Sequence, residues 1–179
     1  MLSRRNILRE KKGVAAVEFA LIAPVIVLVF FGLIELCQGM NAKQRVESVA
    51  STSSDLVAQS TNMTPTAVNN VFEAANAILF PYPAGANITI VVSSLVENGT
   101  TPNSAKVVWS RTKNGTARPV DSTLAIPPGV ITPGGSVIYA EVTYSFSPVT
   151  SYVIGHTVTM TSNFFSRPRR TVQVTWSNS

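Results

Sequence analysis

The side chains and bonds of this chain that could take part in chemistry are few. The most telling of them stand together in Lys11-Lys12-Gly13-Val14-Ala15-Ala16-Val17-Glu18-Phe19. A basic stretch ends in a glycine, an apolar run begins at the next residue, and a single glutamate sits five residues into that run. A charged side chain inside a membrane helix is costly, on the order of 2.5–3.5 kcal/mol at the helix centre on insertion scales, so an acid within the apolar run calls for a compensating charge. Hydrolysis of the Gly13–Val14 bond would create one, the new α-amine of Val14. On this reading the chemistry is done to the chain: Gly13 and Val14 form a processing site, and Glu18 is the charge-pairing residue. A second group, Arg167-Pro168-Arg169-Arg170, is the basic cluster of the remaining sequence. It reads either as a solvated turn between the last two strands or, through Arg167, Arg169 and Arg170, as a contact for an acidic partner surface or for membrane phosphates.

Other chemistries find no residues. His156 is the single histidine and Cys37 the single cysteine, so neither a histidine metal cluster nor an internal disulfide can form. Cys37 follows Glu35-Leu36 rather than the small residue that lipid attachment requires, and reads as a small apolar side chain near the end of an apolar helix. There is no nucleophile elbow, phosphate loop or dinucleotide glycine pattern, and the carboxylates are scattered. The expectation is therefore no catalytic residue, no cofactor, no metal, no small-molecule substrate and no enzymatic activity. The net charge of +5 resembles a nucleic-acid signal only until it is located. Arg4, Arg5, Arg9, Lys11 and Lys12 against Glu10 put +4 of it in the first 13 residues. The rest of the chain is nearly balanced, which excludes the basic face that nucleic-acid binding needs.

Residues 14–37 are apolar except for Glu18 and Glu35. About 20 such residues cross a bilayer as a helix. The run is longer than the apolar part of a secretory signal, and no small-x-small cleavage site follows it. The basic residues lie on its N-terminal side, so the positive-inside rule places residues 1–13 in the cytoplasm and residues 38–179 outside. Pro24 falls inside the helix, which membrane helices tolerate.

Beyond the span, Ala42, Val46, Val49, Ala50, Ser53 and Val57 recur at helical spacing, so the helix continues as an amphipathic one to about Gln59. Thr64-Pro65 is a helix start, and Val68, Val71, Phe72, Ala75, Ile78 and Leu79 form the apolar face of a second helix. That helix ends at Phe80-Pro81-Tyr82-Pro83. The remainder reads as strands at 88–96, 105–111, 136–146, 157–165 and 171–176. Asn114-Gly115 gives a hairpin signal, and residues 126–135 form a proline- and glycine-rich loop. In 136–146, Ile138, Ala140, Val142, Tyr144 and Phe146 make the core face. Trp109, Tyr144, Phe164, Phe165 and Trp176 read as core or sheet-face packing, and His156 as structural within a strand. The fold class is α+β: a long N-terminal transmembrane helix continuing as an amphipathic helix, a second helix, then a four- to five-stranded antiparallel sheet, in a pilin-like arrangement.

The stretch 12–36, Lys-Gly-Val-Ala-Ala-Val-Glu-Phe-Ala-Leu-Ile-Ala-Pro and onward to Phe-Gly-Leu-Ile-Glu, resembles the TadE-like family, pilus-assembly proteins of the bacterial tight-adherence (Tad/Flp) type IV pilus system. The resemblance covers about residues 11–60, with weaker likeness at 108–111 and 167–170. It implies a minor pilin, or pseudopilin, of the inner membrane, cut between Gly13 and Val14 by a prepilin peptidase. Glu18 would then be the fifth residue of the mature chain, placed to neutralise the N-terminal amine of a neighbouring subunit. Phe19 departs from the tyrosine that follows this glutamate in the major pilins of the system, and the large outer domain argues for a minor subunit that primes, caps or tunes assembly. The partners implied are the other pilus subunits and assembly proteins, with the C-terminal domain periplasmic or carried into the surface pilus. The alternative is an uncleaved, signal-anchored periplasmic binding or scaffold protein. In that case the loops 98–104 and 126–135 would carry the function.

Overall fold

The structure, a computed structural model, describes residues 11–178; Arg4, Arg5 and Arg9 of the basic leader lie outside the described residues. The elements run α1 (Lys11–Ala58), β1 (Asn62–Met63), α2 (Pro65–Leu79), β2 (Ile88–Glu97), β3 (Ser104–Lys113), β4 (Thr123–Ala125), β5 (Ser136–Phe146), β6 (Val158–Ser166) and β7 (Thr175–Trp176). They divide into two units: the α1 residues up to Gly39 with the loop Ser147–Thr157, and Met40–Phe146 with the chain from Val158 onward.

In the first unit the helix presents apolar side chains outward all round. Phe19, Leu21, Val25, Leu28 and Phe30 are each more than half exposed. This is the one helix among the described residues long and apolar enough to cross a membrane, and Pro24 lies inside it without ending it. Helices apolar on every side are stable where the surroundings are apolar too.

In the second unit the pattern changes. Ala42, Val46, Val49, Ala50, Val57 and Ala58 of α1 are fully buried, one stripe at three- and four-residue spacing. They join Val68, Val71, Phe72, Ala75 and Leu79 of α2 on one face of a sheet. Thr64 caps α2, its hydroxyl oxygen accepting from the Ala67 amide, with Pro65 in the first turn. The sheet order is β4-β3-β2-β5-β6, every neighbour antiparallel. Its helix-side face carries Ile88, Ile90 and Val92 from β2 and Ile138, Ala140, Val142, Tyr144 and Phe146 from β5, the alternation expected for 136–146.

Three expectations are corrected. The stretch 171–176 is not a strand of this sheet. Only Thr175–Trp176 is extended, and it pairs in parallel with β1 as a separate two-stranded ribbon. Val174 draws it there: it is fully buried, and its carbonyl accepts from the Trp109 indole N–H at 2.8 Å. The fifth strand of the sheet is β4 instead. Secondly, Asn114-Gly115 does not close a tight hairpin, for β4 pairs only with the far end of β3, at Ser104, Ala105 and Lys106. The Asn114 amide donates to the Gly85 and Ile88 carbonyls, and a Cβ at Gly115 would stand 2.6 Å from a Thr89 methyl. The returning chain is held by Arg118, whose guanidinium makes two hydrogen bonds, of 2.7 and 2.6 Å, to Glu141 on β5. Thirdly, His156 lies exposed in the loop Ser147–Thr157, not in a strand.

The second face of the sheet has a core of its own: Leu95, Ala105, Val107, Ile126, Val137 and Tyr139, with Val130 and Ile131 of the proline- and glycine-rich loop packed against it. A bulge makes this possible. Ser94 faces Trp109 but Leu95 faces Val107, so Val108 is an extra residue and Val107 and Trp109 serve opposite faces. Of the aromatic residues expected to pack, Trp109 and Tyr144 are buried. Trp176 lies against Trp109 with the rings tilted by 44° and their centroids 5.7 Å apart, and Phe165 stacks on Tyr139 with ring centroids 4.4 Å apart. Phe164 differs, for it stands exposed on the edge strand β6.

Burial, reinforced by the Glu141 charge, pushes the Tyr139 hydroxyl up from 10.0 to about 12. A tyrosine that resists ionisation in the folded state stabilises fully below about pH 10, and that contribution is lost as pH rises towards about 12. Urea unfolding midpoints of the wild type should therefore fall across that interval, and Tyr139→Phe should fall less steeply. Parallel curves would contradict the assignment.

Candidate functional site

Gly13, Val14 and Glu18 are all exposed on α1. A Cβ built on Gly13 meets nothing within 4 Å, so the residue is not required there by packing. Glu18 makes no hydrogen bond or ion pair among the described residues, although it stands within the apolar run. The three positions follow one another on one helix, a little over one turn from Val14 to Glu18.

The three arginines do not act together. The Arg167 guanidinium donates to the Gly129 and Val130 carbonyls at 3.1–3.3 Å, holding the loop that covers the second core. Arg169 pairs with Asp55 through its side chain, while its backbone N–H donates to the Ala58 carbonyl at 2.9 Å. Those two contacts give the C-terminal end of α1 a cation and a donor, both favourable against the helix dipole. Arg170 is exposed. Two members of the cluster thus hold their own chain. The loops named for a binding role do come together: residues 98–104 line one depression with Ile126, Pro127, Gly129, Ile131 and Pro133. Glu97 ties the two sides through a 2.6 Å hydrogen bond from the Gly134 amide.

The most fully satisfied acid of the apolar segment is one that the sequence marks as an interruption of the apolar run and as part of the TadE-like resemblance, without a role. Glu35 is 0% exposed. Its carboxylate accepts from the Thr150 hydroxyl at 2.6 Å and from the backbone amides of Tyr152 at 2.7 Å, Val153 at 3.2 Å and Ile154 at 2.6 Å. Ser151 adopts the left-handed conformation, with φ of 51°, and the amides that follow it converge on the acid as an anion nest. Gly32 lies one turn earlier beside Val153, where a Cβ would make an ordinary van der Waals contact at 3.4 Å. Phe31 packs on Tyr152 with ring centroids 5.2 Å apart. A signal was available in the sequence. A buried acid must find donors, and residues 147–155 form an uncharged stretch rich in small polar and apolar residues. Among the described residues no group of three or more His, Cys, Asp or Glu side chains is arranged to hold a metal ion.

Removing the acceptor leaves three amides without their partner, each worth about 1–3 kcal/mol when buried. Glu35→Ala should therefore raise hydrogen exchange in a peptide covering 147–157 by about tenfold or more, with the strands β2 and β5 unchanged. Uniform acceleration across the chain would mean that Glu35 supports the whole fold rather than this loop.

No curated protein and no solved structure matches the chain. Residues 13–55 match the model of the family described as TadE-like protein. The matched segment takes in Gly13, Val14, Glu18, Pro24, Gly32 and Glu35, and it is the same family that residues 12–36 resemble. The chain carries a TadE-like segment in its long apolar helix, which points to a protein associated with the Tad pilus.

Proposed function

We propose that this protein is a membrane-anchored minor pilin of a Tad/Flp pilus, released from its leader by cleavage between Gly13 and Val14. The observation that carries the reading is the contrast between two acids on one apolar helix. Glu35 has all its donors within its own chain, whereas Glu18 is exposed and has none among the described residues. A carboxylate left in that position is stabilised by a charge from outside, and the α-amine of Val14 in a neighbouring subunit is a charge of the right sign. Pairing the two offsets two desolvation penalties at once. The TadE-like match supports the reading, as does the accessibility of Gly13. The same reading places the leader in the cytoplasm, the helix across the inner membrane and the sheet domain in the periplasm, from which assembly would carry it to the surface. The proposed partners are the prepilin peptidase and the other pilus subunits.

The intact mass of the protein recovered from native membranes and from sheared surface filaments tests this. A chain beginning at Val14 is expected. A chain still beginning at Met1 would overturn processing and favour a permanently anchored assembly or scaffold protein. Gly13→Leu should retain the leader and be absent from filaments, and because nothing lies near that Cβ, such a block would report on the peptidase rather than on folding.

Glu18→Leu separates processing from assembly. It should be cut normally, yet enter filaments about tenfold less, the equivalent of ~1.4 kcal/mol of lost pairing. Undiminished incorporation, measured by quantitative blotting of sheared filaments against membranes, would remove Glu18 from the assembly role.

A further inference from the structure

We propose that the loop Ser147–Thr157 rests in the outer interfacial layer of the bilayer, with Val149, Tyr152 and Val153 against lipid; this rests on the membrane-spanning reading of residues 14–37. The loop is fastened to the helix inside its apolar run. Glu35 holds the amides of Tyr152, Val153 and Ile154, the Tyr152 ring lies on Phe31, and Val153 occupies the space beside Gly32. Whatever medium surrounds the helix at Phe31 to Glu35 therefore surrounds the loop as well.

The composition of the loop suits that medium. From Ser147 to Gly155 it contains no Asp, Glu, Lys or Arg, and His156 follows. Its outward side chains are apolar and well exposed: Val149 at 85%, Tyr152 at 76% and Val153 at 50%. Three neighbouring side chains of that kind would be an unfavourable patch in water, and tyrosine is enriched where headgroups meet acyl chains. Depth follows from length. Residues 14–37 span about 36 Å as a helix against a hydrocarbon core of ~30 Å, which brings Glu35 to the outer boundary rather than the middle. Irregular backbone is not tolerated facing lipid in the hydrocarbon itself. At the boundary it is accommodated, and here the amides most in need of partners already have the Glu35 carboxylate. The loop and the end of the helix would thus enter the headgroup layer together as one amphipathic edge.

The test uses the full chain carrying Cys37→Ser, with single cysteines introduced by Leu28→Cys in the span, Val149→Cys and Tyr152→Cys in the loop, and Gly99→Cys in the β2–β3 turn as a control. Each is labelled with an environment-sensitive fluorophore and reconstituted in phosphatidylcholine–phosphatidylglycerol vesicles. Quenching by a nitroxide on the upper acyl chain is compared with quenching by aqueous iodide. The labels at 28, 149 and 152 should lose most of their emission to the nitroxide and be shielded from iodide, while the label at 99 should respond to iodide alone. If the label at 28 behaves as expected but those at 149 and 152 follow the one at 99, the loop lies in water and the proposal is overturned while the span stands. If the label at 28 is itself quenched by iodide, the spanning reading fails and the loop proposal fails with it. Lipid quenching at 99 equal to that at 152 would also overturn it, since contact would then not be particular to the loop.

Discussion

The sheet of this protein presents a face of Ile88, Ile90, Val92, Ile138, Ala140, Val142 and Tyr144 that cannot be left in water. Its burial beneath α1 and α2 is the interaction on which the second unit rests. Each large aliphatic side chain so buried contributes roughly 1.5–3 kcal/mol. The α1 stripe that covers this face is made of alanine and valine, small residues that let helix and sheet backbones approach closely. This requirement explains why α1 alters its character along its length. Up to Cys37 its apolar residues point in every direction; from Ala42 they retreat to one side while Arg45, Glu47 and Asp55 occupy the others. One continuous helix is therefore written for two surroundings, an apolar medium first and a sheet face second.

Glu35 sits near the change between those two patterns, and its environment shows what it takes to keep an acid there. Desolvating a carboxylate costs several kcal/mol unless donors replace water. The loop Ser147–Thr157 supplies four of them. This accounts for an irregularity of the sheet. β5 and β6 are antiparallel neighbours, a pair that a turn of two to five residues ordinarily joins. The connection here is longer because it has a second task, forming the nest around Glu35. Arg118 does something comparable on the second face of the sheet. Its double hydrogen bond to Glu141 holds the chain after β3 in a path that a simple hairpin would not take. In both places an ion decides the course of a loop.

Those two ions also mark the limit of what was legible in the sequence. Periodicity gave the continuation of α1, the apolar face of α2 and the core face of β5, because burial on one side leaves a local repeat. The Thr64-Pro65 start was equally plain, since the cap and the proline are local chemistry. What could not be read locally was the fate of residues with distant partners. The stretch 171–176 has good strand composition, yet Val174 is claimed by a pocket beside Trp109, far away in sequence. Asn114-Gly115 has the composition of a hairpin turn, and the Arg118–Glu141 pair overrides it. Val107 and Trp109 would share a face in a regular strand, and only the bulge at Val108 separates them. In the candidate site, Gly13, Val14 and Glu18 were visible because their meaning lies in spacing. Glu35 was not, because its meaning lies in a loop more than a hundred residues away.

Glu18 and Glu35 are 17 positions apart, or about 26 Å along the helix. On the proposed topology they lie towards opposite sides of the bilayer. Their difference is physical. An acid that has found all its donors within its own chain stabilises that chain and is neutral towards neighbours. An acid within the same apolar run that has no partner among the described residues gains stability when a cation or a donor is brought to it. Packing copies of the helix side by side would bring such a charge once the leader is gone, because cleavage at Gly13 leaves each copy with a new α-amine at the start of its apolar run. Before cleavage the same position carries a peptide bond and no charge. The chain would thus be unable to satisfy Glu18 in this way until it had been processed, and processing would itself create the attraction that draws subunits together. The order of events, cleavage and then assembly, would follow from where a single carboxylate stands relative to a single glycine.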